Sequence, residues 1–196
     1  MRRAIPIIIL LMLAIPAGAQ LFKKSNKSVA PEYQAGAVPV ANGRVTFEEF
    51  IPADGLTAAQ VDERVGEWIS KRFVQPTVIA SVLYDSGKEG TTILKGEEYI
   101  VFKKNIFVLS RARTYYFLTL EAQDGGCLFN MSRITYWYDD EDEDGGLKMK
   151  AENWITDEMA FNKKGKLKRF EGKFRRKTID LKNQLVKELG NELNSK

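Results

Sequence analysis

The stretch from Thr114 to Tyr138 constrains the fold of this chain more than any other. It contains two segments rich in Tyr, Phe, Thr, Ile and Leu, with Asp124-Gly125-Gly126 between them. Asp-Gly between two such segments is a strong hairpin signal, because a type I′ turn needs positive φ at both central residues. We therefore predict a β-hairpin that turns at Asp124-Gly125.

The two faces of this hairpin differ in chemistry, since residues directly opposite in an antiparallel pair share a face. One face is wholly apolar and contains the pairs Ala122 with Cys127, Leu120 with Phe129 and Leu118 with Met131. The other face is mixed and contains Glu121 with Leu128, Thr119 with Asn130, Phe117 with Ser132 and Tyr115 with Ile134. A Gly125-Gly126 turn would keep each residue on its face, whereas a three-residue loop would exchange the faces. We expect the apolar face to be the core.

The first 19 residues have the organisation of a secretory signal peptide. Arg2-Arg3 is followed by an uncharged apolar run from Ala4 to Ile15, and Ala17-Gly18-Ala19 matches an A-x-A cleavage site. The alternative is a membrane anchor, but the uncharged stretch from Ala4 to Ala19 is slightly short for a span and ends in small residues, not in a basic stop signal. We predict cleavage between Ala19 and Gln20, with export to the periplasm or beyond the cell.

Composition restricts the chemistry that this chain can perform. Its formal net charge of +4 falls to +2 when the two arginines of the signal peptide are removed, so no nucleic-acid partner is expected. Cys127 is the only cysteine and there is no histidine. An intramolecular disulfide is therefore impossible, and a cysteine nucleophile would lack an imidazole to activate it.

The remaining elements alternate in the manner of an α+β domain. A first strand follows Asn42-Gly43, and Thr57 to Gln60 matches a capping box before a one-sided helix that includes Trp68. Further strands precede the hairpin, and an apolar stripe predicts a last helix from Thr178 to Leu193. The predicted organisation is a signal peptide (1–19), a flexible lead-in (20–42), the α+β domain (43–138), an acidic loop (139–150) and a C-terminal helical and basic segment (151–196).

Four segments resemble a family of secreted bacterial proteins. They are GRVTFEEFI, GEWISKRF, YYFLTLEAQDGGCLFNMSRITY and AENWITDEMAFNKKGKLKRFEGKFRRKTIDLK, which together cover most of Gly43 to Lys182. The family is a domain of unknown function, number 4468 in its series, with a TATA-binding-protein-like (TBP-like) fold. The resemblance implies a curved antiparallel sheet with helices packed on one face. It transfers no activity, and a fold name does not establish DNA binding.

The mixed face of the hairpin is the candidate binding surface. It places Tyr115, Phe117, Thr119, Asn130 and Ser132 together if the predicted register holds. Aromatic rings among hydroxyl and amide groups suit a protein, peptide or glycan partner, since they combine apolar area with adaptable hydrogen bonds. The alternatives are a solvent face, or a face covered by the C-terminal helix.

Two charged segments are further candidates. Asp140, Asp142, Asp144 and Gly145 have the D-x-D-x-D-G spacing of a calcium loop, but the twelfth position is Ala151 where a Glu is needed. We expect a solvated loop, with weak calcium binding as the alternative and no other cofactor. Lys163 to Lys177 is rich in cations and includes Phe170 and Phe174, which suits an anionic membrane surface or a solvated connector that docks on the acidic loop.

The function that the sequence favours is a non-enzymatic exported binding or envelope-assembly module. A carboxylate-dependent enzyme is one alternative, and Glu48, Glu49, Glu97 and Glu98 are its candidate acids. A purely structural partner of another envelope protein is the other, and an exposed apolar patch or strand edge would favour it.

Overall fold

The structure is a computed structural model that describes residues 29–104, 109–141 and 143–195. Seven antiparallel strands form one open sheet in the order β1-β2-β6-β5-β4-β3, with β7 paired to β6 alone. The strands are β1 (Val40–Ala41), β2 (Arg44–Pro52), β3 (Val78–Tyr84), β4 (Thr91–Lys104), β5 (Leu109–Gln123), β6 (Gly126–Tyr138) and β7 (Leu147–Lys150). The helices are α1 (Ala58–Arg72), α2 (Asp157–Ala160) and α3 (Glu171–Leu193). The predicted α+β class is thereby confirmed.

The two long helices pack on the face of the sheet that the sequence predicted to be the core. Leu118, Leu120, Phe129 and Met131 are fully buried there, and Cys127 lies beside them. Trp68 of α1 is also core, with 3% of its surface exposed. The predicted capping box is present, since Thr57 accepts a hydrogen bond from the Gln60 backbone and the Gln60 side chain accepts one from Thr57.

The hairpin turns at Asp124-Gly125 as predicted, but its conformation differs from type I′. Gly125 has φ +81°, whereas Asp124 does not have positive φ. The Asp124 carboxylate instead accepts a hydrogen bond of 2.8 Å from the backbone N–H of Ala58. That N–H is one of the free donors at the start of α1, so the turn is fixed by the helix that it caps.

A β-bulge in β6 changes the predicted register. Pairing is as predicted from the turn to Phe117 and Ser132, but Tyr115 then pairs with Thr135 and not with Ile134. Arg133 is the extra residue and has φ +52°. The predicted position of Ile134 on the mixed face is therefore wrong, because the bulge directs that side chain into the core, where it is fully buried.

The segments on either side of the predicted domain contribute to it. In the predicted lead-in, β1 pairs with β2 and Val38 is 5% exposed, so the end of this segment contributes a short strand and one core residue to the domain. In the predicted acidic loop, residues 147–150 form β7. The last helix begins at Glu171, seven residues before the predicted start, because the apolar stripe continues backwards to the buried Phe174. The predicted signal peptide lies outside the described residues.

Two arginine side chains are buried in the core. Arg72 at the end of α1 donates from Nη2 to both carboxylate oxygens of Glu98, at 3.0 and 2.8 Å, and the Tyr116 hydroxyl donates to the same carboxylate. Tyr116 reaches it by crossing over Gly96, where a Cβ would lie 2.6 Å from the ring. Arg175 of α3 is fully buried and donates to the backbone carbonyls of Tyr33 and Ile155.

None of the helices within the described residues is long and apolar enough to cross a membrane.

Candidate ligand-binding face

The face of the sheet opposite the helices, here called the open face, consists of rows of side chains that run across the strands. Strand register places Lys95 beside Phe117 and Ser132, and Glu97 beside Tyr115 and Thr135. The central rows contain Ile93, Thr119, Asn130 and Glu48; Lys95, Phe117, Ser132 and Thr46; Glu97, Tyr115, Thr135 and Lys150; and Tyr99, Arg113, Trp137 and Lys148. No helix within the described residues covers these rows.

All five candidate binding residues of the hairpin lie on the open face. Tyr115, Phe117, Thr119, Asn130 and Ser132 are each partly buried, which is the exposure expected of side chains that stand on a sheet without a covering layer. The structure thus brings together the predicted set, and their role in binding stays a prediction.

Cations that the sequence analysis missed lie against the aromatic rings of this face. The guanidinium of Arg111 is 3.8 Å from the centre of the Tyr99 ring, and the ammonium of Lys148 is 4.3 Å from that of Trp137. Arg133 lies 5.1 Å from the centre of the Phe117 ring. These are cation–π distances, so the rings hold the cations at the surface. The alternation of Arg111, Arg113 and Tyr115 along β5 is the sequence signal that could have placed Arg111 on this face, whereas no local pattern indicates Lys148 or Arg133.

Arg113 is the most constrained cation on the open face. It lies between two carboxylates, with Asp140 3.0 Å from its Nε and Glu97 3.5 Å from its Nη1. A hydrogen bond with the Tyr99 hydroxyl, and one with Tyr115, raise the pKa of Arg113 above its ordinary value. Its positive charge is therefore permanent at any physiological pH.

A cavity of about 360 Å³ lies on the open face where β5, β6 and β7 meet. Its lining includes the aromatic rings of Tyr115 and Trp137 and the ammonium groups of Lys148 and Lys150. Burial raises the pKa of Tyr115, whose hydroxyl is therefore neutral and able to donate a hydrogen bond. The cavity combines apolar walls with donors, as ligand sites commonly do.

Two acids of the acidic loop, Asp140 and Glu141, form ion pairs with arginines of β5. Asp140 pairs with Arg113, and Glu141 pairs with Arg111 at 2.7 Å. The predicted docking of the two charged segments on each other is therefore wrong for these two acids. Asp142 is outside the described residues, and among the residues that the structure describes no group of three Asp, Glu, His or Cys side chains is placed to hold a metal ion. The calcium hypothesis thus stays a prediction from spacing.

The aromatic residues of the basic segment belong to the core. Phe174 is fully buried, and Phe170 packs edge-on against Trp154 and Tyr138 at 5.8 and 5.5 Å. These rings cannot insert into a lipid surface while the domain is folded. The exposed cations of the segment, Lys163, Lys164, Lys166 and Arg169, remain for the predicted contact with an anionic membrane.

The candidate acids of an enzyme are kept apart. Glu98 is buried against Arg72, and Glu49 pairs with Lys182 of α3 at 2.9 Å. Glu48 and Glu97 share the open face but belong to β2 and β4, which are three strand spacings or roughly 14 Å apart. The buried thiol is also unsuited to catalysis, because burial raises the pKa of Cys127 to about 12.

An open antiparallel sheet with helices on one face defines this protein as an α+β domain of TBP-like architecture. The chain belongs to the DUF4468 family, described as a domain of unknown function with TBP-like fold, whose family model matches residues 47–137. A crystal structure of a DUF4468 family protein from Bacteroides ovatus is 31% identical, with a TM-score of 0.77, and the match covers 87% of this chain and 98% of that one.

A second crystal structure, of a TBP-like protein from Parabacteroides distasonis, shares the fold. It is 16% identical with a TM-score of 0.65, and the match covers 80% of this chain and 96% of that one. No protein with curated annotation matches this chain.

Proposed function

We propose that this protein is an exported, non-enzymatic binding module that holds a partner against its open face. The partner is a peptide, protein or glycan segment that carries acidic groups. One observation supports this proposal above all: the long helices cover a single face of the sheet, and the other face presents partly exposed aromatic rings held against cations. Such a surface offers stacking area together with charge-assisted hydrogen bonds.

The double variant Tyr115→Ala, Phe117→Ala tests the role of the open face. We expect the mature chain, Gln20–Lys196, to be retained on immobilised polyglutamate or polygalacturonate, and the double variant to lose most of this retention. Both rings are partly exposed, so each truncation should cost less than about 2 kcal/mol, compared with about 3–5 kcal/mol for a core aromatic. Retention is measured by affinity chromatography and stability by urea unfolding.

Val74→Ala is the control, because this exposed side chain follows α1 and lies outside the open face. It should change neither retention nor stability. If the double variant binds both polymers as well as the native chain does, the open face is not the binding surface. If it unfolds like a core variant, the two rings are structural.

The outer edge of β3 supports a second candidate function, that of a structural partner. This strand is at the end of the sheet, contains no charged residue, and exposes Ile79, Val82, Leu83 and Tyr84. Proteins usually protect such an edge with charges, as at the other end of the sheet, where the part of β2 that extends beyond the two-residue β1 contains Glu48 and Glu49. The occupant we propose is a second copy of this chain. Antiparallel pairing about Ser81 would place Ile79 opposite the second copy's Leu83, so apolar side chains meet apolar side chains.

Val82→Glu tests pairing through β3. The register places Val82 opposite Lys95, so the new carboxylate has a partner within the monomer, and the fold should persist. In the dimer it would put two carboxylates near the symmetry axis, and we expect the dimer to dissociate. Light scattering after size exclusion reads the mass. Val101→Glu is the matched control, because Val101 of β4 lies opposite Arg111 of β5. It should leave the mass unchanged. A native chain that stays monomeric at all concentrations would refute the pairing.

A further inference from the structure

A gap in the sheet beside β6 forms a second cavity next to the open face. Strand β2 leaves β6 at the pair of Thr46 with Ser132, and β7 joins the same edge of β6 only at the pair of Lys150 with Thr135. Between these pairs the bulge residues have no neighbouring strand on that edge. The resulting notch has a volume of about 550 Å³.

Three cations from three different strands line this notch. Arg44 begins β2, Arg133 is the bulge residue of β6, and Lys150 ends β7. All three are exposed, and none of them forms an ion pair with another of the described residues. The nearby cations of the open face differ in this respect, since Arg111 and Arg113 are already paired with carboxylates.

One carboxylate also lines the notch, and its role is structural. Oε1 of Glu152 accepts a hydrogen bond of 3.0 Å from the backbone N–H of Val45, which ties β2 to the segment after β7. Three cations and one carboxylate leave a formal excess of two positive charges in the notch. An oxyanion that entered it would meet donors on several sides.

The backbone at Arg133 provides an independent reason to regard its side chain as functional. A bulge residue in the left-handed region is ordinarily glycine, because a side chain at positive φ is strained. Arg133 has φ +52° and nevertheless carries a long exposed side chain. Strain of this kind persists where the side chain has a task that glycine could not perform.

The notch continues into the cavity lined by Tyr115 and Trp137, because Thr135 and Lys150 line both. A ligand could therefore place an anionic group among the cations while an adjoining ring or chain lies against the aromatic side chains. We propose that the notch binds the oxyanion of the ligand, a carboxylate or a phosphate, and thereby sets the position of the ligand on the open face. This inference rests on the proposed function, since it names the group by which the open face recognises its partner.

The test uses small probes that combine a ring with one polar group. Benzoate and phenyl phosphate carry the two oxyanions, and benzyl alcohol is the neutral control. Binding is followed by NMR at the Trp137 indole N–H during titration of the mature chain. We expect both anions to bind at least tenfold more tightly than benzyl alcohol, with the advantage falling as salt screens the charges. The anion that binds more tightly identifies the oxyanion of the natural ligand as a carboxylate or as a phosphate. Equal affinity for benzyl alcohol, or no shift with any probe, would overturn the proposal.

Arg133→Gly is the decisive variant, because glycine keeps the bulge conformation while removing the guanidinium. We expect a tenfold loss of anion affinity with an unchanged or higher Tm, and a similar loss for Lys150→Gln. Lys164→Gln, an exposed lysine elsewhere, is the matched control and should bind as the native chain does. If Lys164→Gln weakens binding equally, the effect is general charge and the notch has no special role.

The same variants separate failure of the notch from failure of the binding function. If Arg133→Gly and Lys150→Gln bind the anions normally while Tyr115→Ala, Phe117→Ala abolishes polymer retention, the open face binds its partner and the notch proposal is wrong. If the double aromatic variant also retains the polymers, the proposed function is wrong as well.

Discussion

Arg175→Met is expected to lower the free energy of unfolding by about 3–5 kcal/mol, because the guanidinium is fully buried and satisfies several acceptors at once. Its Nε donates to the Tyr33 carbonyl at 3.0 Å and its Nη1 to the Ile155 carbonyl at 2.7 Å. Its Nη2 lies 2.8 Å from the Asp157 carboxylate. Methionine keeps much of the packing but leaves these oxygens without a donor.

The loss should be accompanied by release of the N-terminal segment, since Tyr33 and Gln34 are both held by Arg175. Urea unfolding measures the free energy, and hydrogen exchange of residues 29–41 reads the release. Arg176→Met is the control: it is the neighbouring arginine, makes no ion pair with the described residues and is partly exposed. It should cost less than about 1 kcal/mol. Equal losses for the two variants would show that the buried contacts of Arg175 contribute nothing specific.

Arg72→Met should have an effect of similar size through a different mechanism. It removes the cation from Glu98, which is 4% exposed, and it also breaks the contact of 2.8 Å between Arg72 Nε and Glu188. A buried carboxylate without its partner is costly, and we expect a loss of about 3–5 kcal/mol in urea unfolding.

A double variant distinguishes the effect of losing the cation from the effect of losing the packing of Arg72. Arg72→Met with Glu98→Gln removes the stranded charge, so the double variant should be more stable than Arg72→Met alone, with a coupling energy above about 1 kcal/mol. Lys71→Met is the control, because its ion pair with Glu192 involves a side chain that is 62% exposed. It should cost less than about 1 kcal/mol. A double variant that loses the sum of the single losses would refute the coupling.

Local patterns predicted the parts of the fold that local residues determine. The pairs from Ala122 with Cys127 to Phe117 with Ser132 follow from the alternation of side chains and the position of Asp124-Gly125. The start of α1 follows from the capping box at Thr57. The bulge did not follow, because the residue at positive φ is Arg133 and no glycine marks it. That single residue explains the error at Ile134.

The candidate site was predictable only in part for a related reason. Tyr115 and Phe117 lie in one strand, so their shared face could be read from the alternation. Arg44, Arg133 and Lys150 are far apart in sequence, and they meet because β2 and β7 share one edge of β6. The four-residue strand β7 carries a faint signal, since the buried Met149 separates two exposed lysines, but its pairing with β6 depends on tertiary structure.

The position of β2 in the sheet also dictates when the domain can assemble. Thr46 pairs with Ser132, 86 residues later in the chain, whereas β4, β5 and β6 pair with their immediate successors. Closing a flexible loop of that length costs about 4 kcal/mol in chain entropy, and less once the intervening hairpins have shortened it. The meander of β4, β5 and β6 can therefore form without β2, whereas β2 lacks its pairing partner until Ser132 has been synthesised. The sheet of this protein therefore cannot be completed until β6 has been synthesised.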